Sequence, residues 1–266
     1  MRTVFTACGD ALIMHRLPEN YPGQMQIQEY LKTGDFRIVN LETTITDKNC
    51  YPSTFSGGTW LTAEAPVLDD LLDFGFNLWG IANNHMLDYS YPGLFQTLSA
   101  LRQRGIAFTG AGESLEKASK AAIAESAAGR TALIALTSTF DDSARAGIQG
   151  PYLPARPGIN PMRFEQKYLL NQAHMDQLKE IADVCNVNVK NKRRLKTGYK
   201  LQESNDIFEF KDMKFCLNAQ EGKITIPSTV DLNRTIRAIE ELKRDVEHVV
   251  VMFHSHEMKD DNMESI

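Results

Sequence analysis

The strongest constraint in this 266-residue sequence is a repeated juxtaposition: short apolar runs, each ended by residues able to ligate a metal or move a proton. Val4 to Cys8 ends at Gly9-Asp10, Phe36 to Leu41 at Glu42, and Phe76 to Ala82 at Asn83-Asn84-His85. Thr131 to Leu136 is a further run, and His248 to Phe253 delivers His254-Ser255-His256-Glu257. Short runs rich in apolar and β-branched residues, bounded by glycine or polar groups, predict strands. Helical patterns lie between them. Val67, Leu68, Leu71, Leu72 and Phe74 share a face that stops at Gly75. Leu94, Leu98 and Leu101 predict a second helix, with Ser90 as its cap, Pro92 in its first turn and Gly105 at its end, before a strand from Ile106 to Phe108. Strands alternating with helices predict an α/β fold whose sheet is covered on both faces. In such sheets ligands bind at the carboxyl ends of the strands, so parallel neighbours would bring Asp10, Glu42, Asn84, His85, His254, His256 and Glu257 to one edge.

The second half is less regular. Phe140 to Pro161 holds four prolines and three glycines and reads as a long ordered loop, a kind often functional. Leu169 to Cys185 and Leu232 to Val246 read as helices, the latter with Ile236, Ile239 and Leu242 on one face. Residues 186–228 show a weak pattern and form a candidate insertion in a single domain spanning 1–266. Within it Lys190, Lys192, Arg193, Arg194, Lys196 and Lys200 cluster near Tyr199. Such a cluster suits a polyanion or nucleic acid, or simply a solvated surface. A net charge of −5 on the whole chain favours the solvated surface and argues against nucleic acid.

With 42% hydrophobic and 24% charged residues, the composition is that of a globular protein large enough for a full core. Cys8, Cys50, Cys185 and Cys216 show no CxxC spacing, which excludes a zinc knuckle, and they are too few for a disulfide scaffold. The N-terminus enters a strand-like run without the apolar core of a signal peptide, and no stretch is long enough to span a bilayer. The expectation is a soluble cytoplasmic chain.

Carboxylate, carboxamide and imidazole are ligands for Mn, Fe or Zn and need no thiolate. Each residue also has a plainer reading. Asp10 after Gly9 suits a turn. Asn40 and Glu42 suit ordinary strand ends, and His254 or His256 suits a satisfied core histidine. Asn83-Asn84-His85 is harder to read so, because three consecutive polar groups are costly to bury unpaired. Asp88 is expected to orient His85 or cap the next helix. Arg156, like Arg163, suits either an exposed loop or contact with an anionic substrate.

Gly9-Asp10, Asn40-Leu41-Glu42 and Ala82-Asn83-Asn84-His85-Met86-Leu87-Asp88-Tyr89 resemble, in order and spacing, successive motifs of the poly-γ-glutamate capsule-synthesis CapA family of bacteria. Gly110-Ala111-Gly112, Arg156-Pro157-Gly158-Ile159-Asn160-Pro161 and His254-Ser255-His256-Glu257 extend the resemblance, which covers most of residues 1–165 and resumes near 231. It implies a calcineurin-like metallophosphoesterase fold, a four-layer α/β/β/α sandwich with two divalent metal ions. Carried onto this chain, Asp10 would ligate the first metal, Glu42 would bridge both in place of the usual aspartate, and Asn84 would ligate the second. His254 or His256, with His254 preferred, would add a ligand. His85, with Asp88, would act as general acid or orient a phosphoryl oxygen, and Asn40, Asn83 and Arg156 would bind substrate. The implied substrate is a phosphorylated or polyanionic small molecule or polymer, and the implied setting is capsule biosynthesis, with association with the cell envelope. The alternative is a non-catalytic accessory protein in polymer assembly or export.

The family continues with Gly-His-x-x-His-type and Ser-Leu-Gly-Asn-Phe-type motifs that this sequence lacks. The resemblance therefore implies that the chain is truncated at its C-terminus, leaving the sandwich and at least one late ligand incomplete and hydrolase activity dependent on the missing part.

Overall fold

The computed structural model describes residues 2–19, 21–47, 49–201, 204 and 206–256, so Glu257 lies outside the described residues. The chain is a mixed α/β protein that divides into two compact units, Met1–Met162 with Val230–Ile266, and Arg163–Thr229.

The first unit opens with β1 (Phe5–Ala11), α1 (Gln24–Leu31), β2 (Phe36–Leu41), the short β3 (Thr44–Ile45) and β4 (Thr62–Ala63), α2 (Val67–Asp73), β5 (Leu78–Gly80), α3 (Ser90–Gln103) and β6 (Phe108–Thr109). β1, β2, β5 and β6 form a four-stranded sheet in that order, and every pair is parallel. β7 (Ala111–Gly112), α4 (Leu115–Ser119), β8 (Ala122–Ser126), β9 (Gly129–Thr137) and β10 (Gly158–Ile159) follow. After the second unit come α7 (Thr229–Leu242) and β15 (His248–His254). β15 joins β9 in parallel, and β9 pairs with β8 in an antiparallel hairpin, giving a three-stranded sheet ordered β15-β9-β8.

The apolar runs produce this arrangement by burying both faces. On one face of the first sheet Val39, Leu41, Trp79 and Ile81 pack with Leu68 and Leu71 of α2 and Leu94, Leu98 and Leu101 of α3. On the other face Phe36, Ile38 and Leu78 meet Leu133, Val250 and Met252 of the second sheet. Beyond that sheet Ile134, Leu136 and Val249 receive Ala238, Ile239 and Leu242 of α7. The His248 run thus belongs to a second sheet and is not a neighbour of β1, β2 and β5.

Small residues let the two sheets approach. A Cβ on Gly80 would lie 2.1 Å from Met252 Sδ and 3.3 Å from Ala135 Cβ. At Gly110, with φ +114°, it would lie 2.6 Å from the backbone nitrogen of Ala82 and 3.0 Å from Ala135 Cβ. The Phe140–Pro161 loop is stitched onto the same region. Gly158–Ile159 pairs antiparallel with Ala111–Gly112, and the Asn160 side chain donates to the Ala135 carbonyl at 2.9 Å.

Two local readings change. Ser90 does not cap α3. It is the first helical residue, has φ +58° and makes no capping bond, because the tight turn after Leu87 runs directly into the helix. The strand expected at Phe76–Ala82 is confined to Leu78–Gly80.

The second unit contains β11 (Phe164–Leu170), α5 (Gln172–Val184), α6 (Val189–Lys196), β12 (Ile207–Phe210), β13 (Met213–Leu217) and β14 (Gly222–Pro227). Its sheet is ordered β12-β13-β11-β14. The unit therefore begins before residue 186, because β11 pairs with β13 and β14 from within the 186–228 segment. Asn171 caps α5 by accepting from the His174 backbone nitrogen, and this separates strand from helix where one helix was expected. The basic residues lie on and just after α6, which buries no side chain. Lys192 pairs with Asp183, Lys200 pairs with Glu209, and Arg194 stacks on Tyr199.

The glycine argument has a direct test. Gly110→Ala is expected to destabilise the protein by about 2–4 kcal/mol, through overpacking plus an unfavourable positive φ. Gly105→Ala, at φ +65° with no atom within 4 Å of the added carbon, should cost only about 1 kcal/mol. Urea denaturation compares them, and equal losses would remove close sheet packing as the reason for Gly110.

Candidate metal centre

The carboxyl ends of β1, β2, β5 and β15 meet in the first unit. A register shift in β1 between Ala7 and Asp10 sets Asp10 opposite Asn40 of β2, and Asn40 Nδ2 donates to Asp10 Oδ1 at 2.7 Å. Glu42 follows the end of β2. After β5 the chain passes through Asn83, Asn84 and His85, all buried. From the second sheet, His254 ends β15 opposite Thr137 of β9. The Ser138 backbone nitrogen donates to the His254 carbonyl at 3.1 Å, and the His256 backbone nitrogen to Thr139 Oγ1 at 2.7 Å, so both histidines sit on a fixed strand end.

Glu42 is at the centre and only 3% exposed. Its Oε1 lies 3.4 Å from His254 Nε2 and 3.9 Å from His85 Nε2. Asn84 Oδ1 lies 2.6 Å from the same His254 Nε2, whose Nδ1 is 3.5 Å from Asp10 Oδ1 and 3.4 Å from Asn40 Nδ2. The exposed His256 ring stands 4.9 Å from the His254 ring, and ligand atoms of Glu42, His254 and His256 all lie within 4.8 Å of one another. Asp10, Glu42, Asn84, His85, His254 and His256 are therefore together.

Asn40 and Asn83 sit within the supporting network. Asn83 Nδ2 donates to Asn40 Oδ1 at 3.2 Å and to the Leu41 carbonyl at 2.8 Å, while its Oδ1 accepts from the His85 backbone nitrogen at 3.1 Å. Asp88, fully buried, holds His85 Nδ1 at 2.8 Å and makes no cap to α3. Arg156 lies on the exposed loop, where its Nε donates to the Arg145 carbonyl at 2.8 Å.

The segment from Ser53 to Leu61 contributes what the sequence does not flag. The backbone nitrogens of Gly57 and Leu61 donate to the two Asp88 carboxylate oxygens at 3.1 and 2.8 Å, and the Gly57 carbonyl accepts from Asn84 Nδ2 at 2.8 Å. Backbone donors and acceptors leave no trace in residue type. The glycine pair Gly57-Gly58 is the one available signal.

Burial, and then the Asp10 carboxylate beside it, push the Glu42 carboxyl up to about 7. Burial lowers His254 below the usual imidazole value, although Asp10 opposes this, and so favours the neutral ring that metals require. Burial also acts to lower His85, but the hydrogen bond and charge of Asp88, with Glu42 and the Thr59 backbone, raise it overall. The donor set fits a divalent cation. Two carboxylates, a carboxamide oxygen and imidazole nitrogens converge, and apart from the histidines no side-chain cation is among the groups described around Glu42. A buried carboxylate in such a place needs a positive partner.

A family model described as "Bacterial capsule synthesis protein PGA_cap" matches residues 4–265. An uncharacterized protein of Sinorhizobium fredii is 34% identical over 181 residues, covering 66% of this chain and 39% of that protein. The capsule biosynthesis protein CapA of Bacillus anthracis is 27% identical over 127 residues, 47% of this chain and 31% of its own length. A probable polyglutamine synthesis accessory protein of Mycobacterium tuberculosis is 36% identical over 97 residues, 34% of this chain and 23% of its own. The chain thus spans well under half the length of the curated relatives it matches.

Glu42 makes the stability of the metal-free protein depend on pH. An acid whose pKa is raised by folding favours the folded state below its unfolded value, and that advantage is lost as pH rises through the folded value. The window here runs from 4.5 to about 7. Without metal, Glu42→Gln should match wild type near pH 4 and exceed it by about 2–3 kcal/mol at pH 8. Urea titrations at both pH values measure this, and a difference independent of pH would contradict the assignment.

Proposed function

Because the chain belongs to the bacterial capsule synthesis family PGA_cap, we propose that its first unit is a metal-dependent phosphoester hydrolase acting in the making of a capsule polymer such as poly-γ-glutamate. The observation that carries this reading is the buried Glu42 carboxylate, with Asp10, Asn84 and His254 turned toward the same point. The packing of helices, two sheets and a further helix supports a calcineurin-like metallophosphoesterase arrangement.

Asp10, Glu42, Asn84, His254 and His256 would hold two divalent ions, Mn, Fe or Zn. Such ions would supply polarisation of a phosphoryl group and charge for both the entering and leaving oxygens. The protein's own residues do the rest. Asp88 fixes the His85 ring through Nδ1, so that Nε2 faces the Glu42 side of the site and holds a proton for a leaving alkoxide. Asn40 and Asn83 keep Asp10 and the start of the Asn84-His85 turn in place. Arg156, on its exposed loop, would meet an anionic portion of the substrate.

A second reading is a non-catalytic accessory role in polymer assembly or export, favoured by the printed name of the Mycobacterium relative. No helix among the described residues is long and apolar enough to cross a membrane.

The two readings separate experimentally. The chain, loaded with Mn²⁺ and freed of excess ion, is expected to retain metal through Asp10, Glu42, Asn84 and His254, and turnover of bis-p-nitrophenyl phosphate is the readout for the hydrolase reading. Glu42→Gln should lower ion occupancy and reduce kcat at least about 100-fold. Asp88→Asn, which loosens the hold on His85 and on the Gly57 segment, should lower kcat about 10–100-fold, the range for losing a group that orients functional side chains. Bound metal without hydrolysis would favour the accessory role, and no bound metal would overturn the metal-centre reading.

A further inference from the structure

The Ser53–Leu61 segment carries none of the strand-end ligands, yet its backbone bonds directly to Asn84 and Asp88. We propose that Gly57 is a positioning residue of the metal centre, its carbonyl setting the carboxamide of Asn84 with its oxygen toward His254 and its missing side chain leaving room for that amide. The inference rests on reading the cluster as a metal site.

A carboxamide has an oxygen end and a nitrogen end of nearly the same shape, and only the oxygen offers lone pairs to a cation. Which end faces the site is decided by what the other end meets. Asn84 Nδ2 donates to the Gly57 carbonyl at 2.8 Å, which leaves Oδ1 2.6 Å from His254 Nε2. Reversing the amide would set its oxygen against the Gly57 carbonyl, two acceptors facing each other. The carbonyl is itself held firmly. Gly57 and Leu61 donate backbone hydrogens to the Asp88 carboxylate, the Ser53 nitrogen donates to the Asp88 carbonyl at 2.8 Å, and Trp60 Nε1 closes the segment onto the Ser53 carbonyl at 3.0 Å. Asp88 therefore holds His85 directly and Asn84 through Gly57.

The need for glycine is one of space. A Cβ at residue 57 would lie 2.3 Å from Asn84 Nδ2, 2.7 Å from His85 Cε1 and 2.8 Å from His85 Nδ1. Gly57 is not among the residues with positive φ, so its backbone conformation is open to alanine. Alanine would therefore disturb the two side chains while the segment's backbone stays favourable.

The test is a double-mutant cycle in the full chain, with Mn²⁺ alone as the probe. Affinity is read by titration calorimetry and by the Mn²⁺ EPR spectrum, alongside the melting temperature of the metal-free protein. Gly57→Ala is expected to weaken Mn²⁺ binding about 10–100-fold, the range for groups that orient a ligand, and to lower the metal-free melting temperature modestly, since the added carbon crowds two buried side chains. In the Asn84→Ala background the same change should alter affinity less than about threefold, because the ligand it displaces is gone and the crowded His85 is not among the proposed ligands. Equal Mn²⁺ affinity for wild type and Gly57→Ala would overturn the inference, as would a full-size effect in the Asn84→Ala background. Absence of Mn²⁺ binding by wild type would overturn the metal reading and this inference with it. Should Gly57→Ala fail to fold, the wild-type Asn84 side-chain NH₂ resonance carries the test when Zn²⁺ is added. Slow hydrogen exchange that persists in the metal-bound form supports the inference, and exchange at the rate of a free amide overturns it.

Discussion

The carboxylate of Glu42 is the group on which the rest of the first unit depends. It is buried at the end of β2 with a second carboxylate, Asp10, beside it and the carboxamide oxygen of Asn84 aimed at the same histidine. Taken out of water without a strong cation, such a group is destabilising unless it binds a proton. Its elevated pKa expresses that conflict. The surrounding network of hydrogen bonds holds the arrangement. Asn83 ties the turn after β5 to Asn40 and Leu41, Asn40 ties β2 to Asp10, and Asp88 ties His85 to the backbone of Ser53–Leu61. Each bond fixes a polar group that would otherwise relax away from its neighbours.

That network can form only because two sheets come close together at one end. His254 and His256 arrive from the sheet built on β9, while Asp10, Glu42 and Asn84 come from the sheet built on β1, β2 and β5. The approach depends on residues with little or no side chain. Gly80 admits Met252, and Gly110 sits between Ala82 and Ala135. A bulkier residue there would move the sheets apart and carry His254 away from Glu42 and Asn84. Packing in the apolar layer thus sets distances in the polar one.

Much of this was legible in the sequence, and the reasons are local. The runs ending at Asp10, Glu42, Asn84-His85 and His254 were visible because strand patterning and chemically unusual terminators coincide. The helices at Val67–Asp73 and Ser90–Gln103 were visible in their 3.6-residue periodicity. What stayed hidden depends on pairing between distant segments or on backbone atoms. Nothing near His248 says that this strand joins β9 and not β1, since a continuous apolar run suits either sheet. Nothing in Phe164–Leu170 says that it pairs with strands some fifty residues later, and so the second unit begins earlier than its composition suggests. The role of Ser53–Leu61 is carried by N–H and C=O groups common to every residue, and Gly57 differs from other glycines only in what stands opposite it.

The two buried histidines show why ligand type alone would have been an incomplete guide to their roles. His254 meets oxygen acceptors at both ring nitrogens, the carboxamide of Asn84 and Glu42 at Nε2 and Asp10 at Nδ1, and its burial keeps the neutral ring preferred. His85 meets the Asp88 carboxylate at 2.8 Å, and that partner reverses the effect of burial. One ring is therefore suited to donating a lone pair and the other to keeping a proton. The same residue type is pushed in opposite directions because burial outweighs the Asp10 carboxylate at His254, whereas Asp88, with Glu42 and the Thr59 backbone, outweighs burial at His85. Asp88 is itself fully buried and accepts from two backbone nitrogens, so its orientation toward His85 is set by the fold of Ser53–Leu61. The division of labour in the site thus traces back to a short segment that contains no ligand of its own.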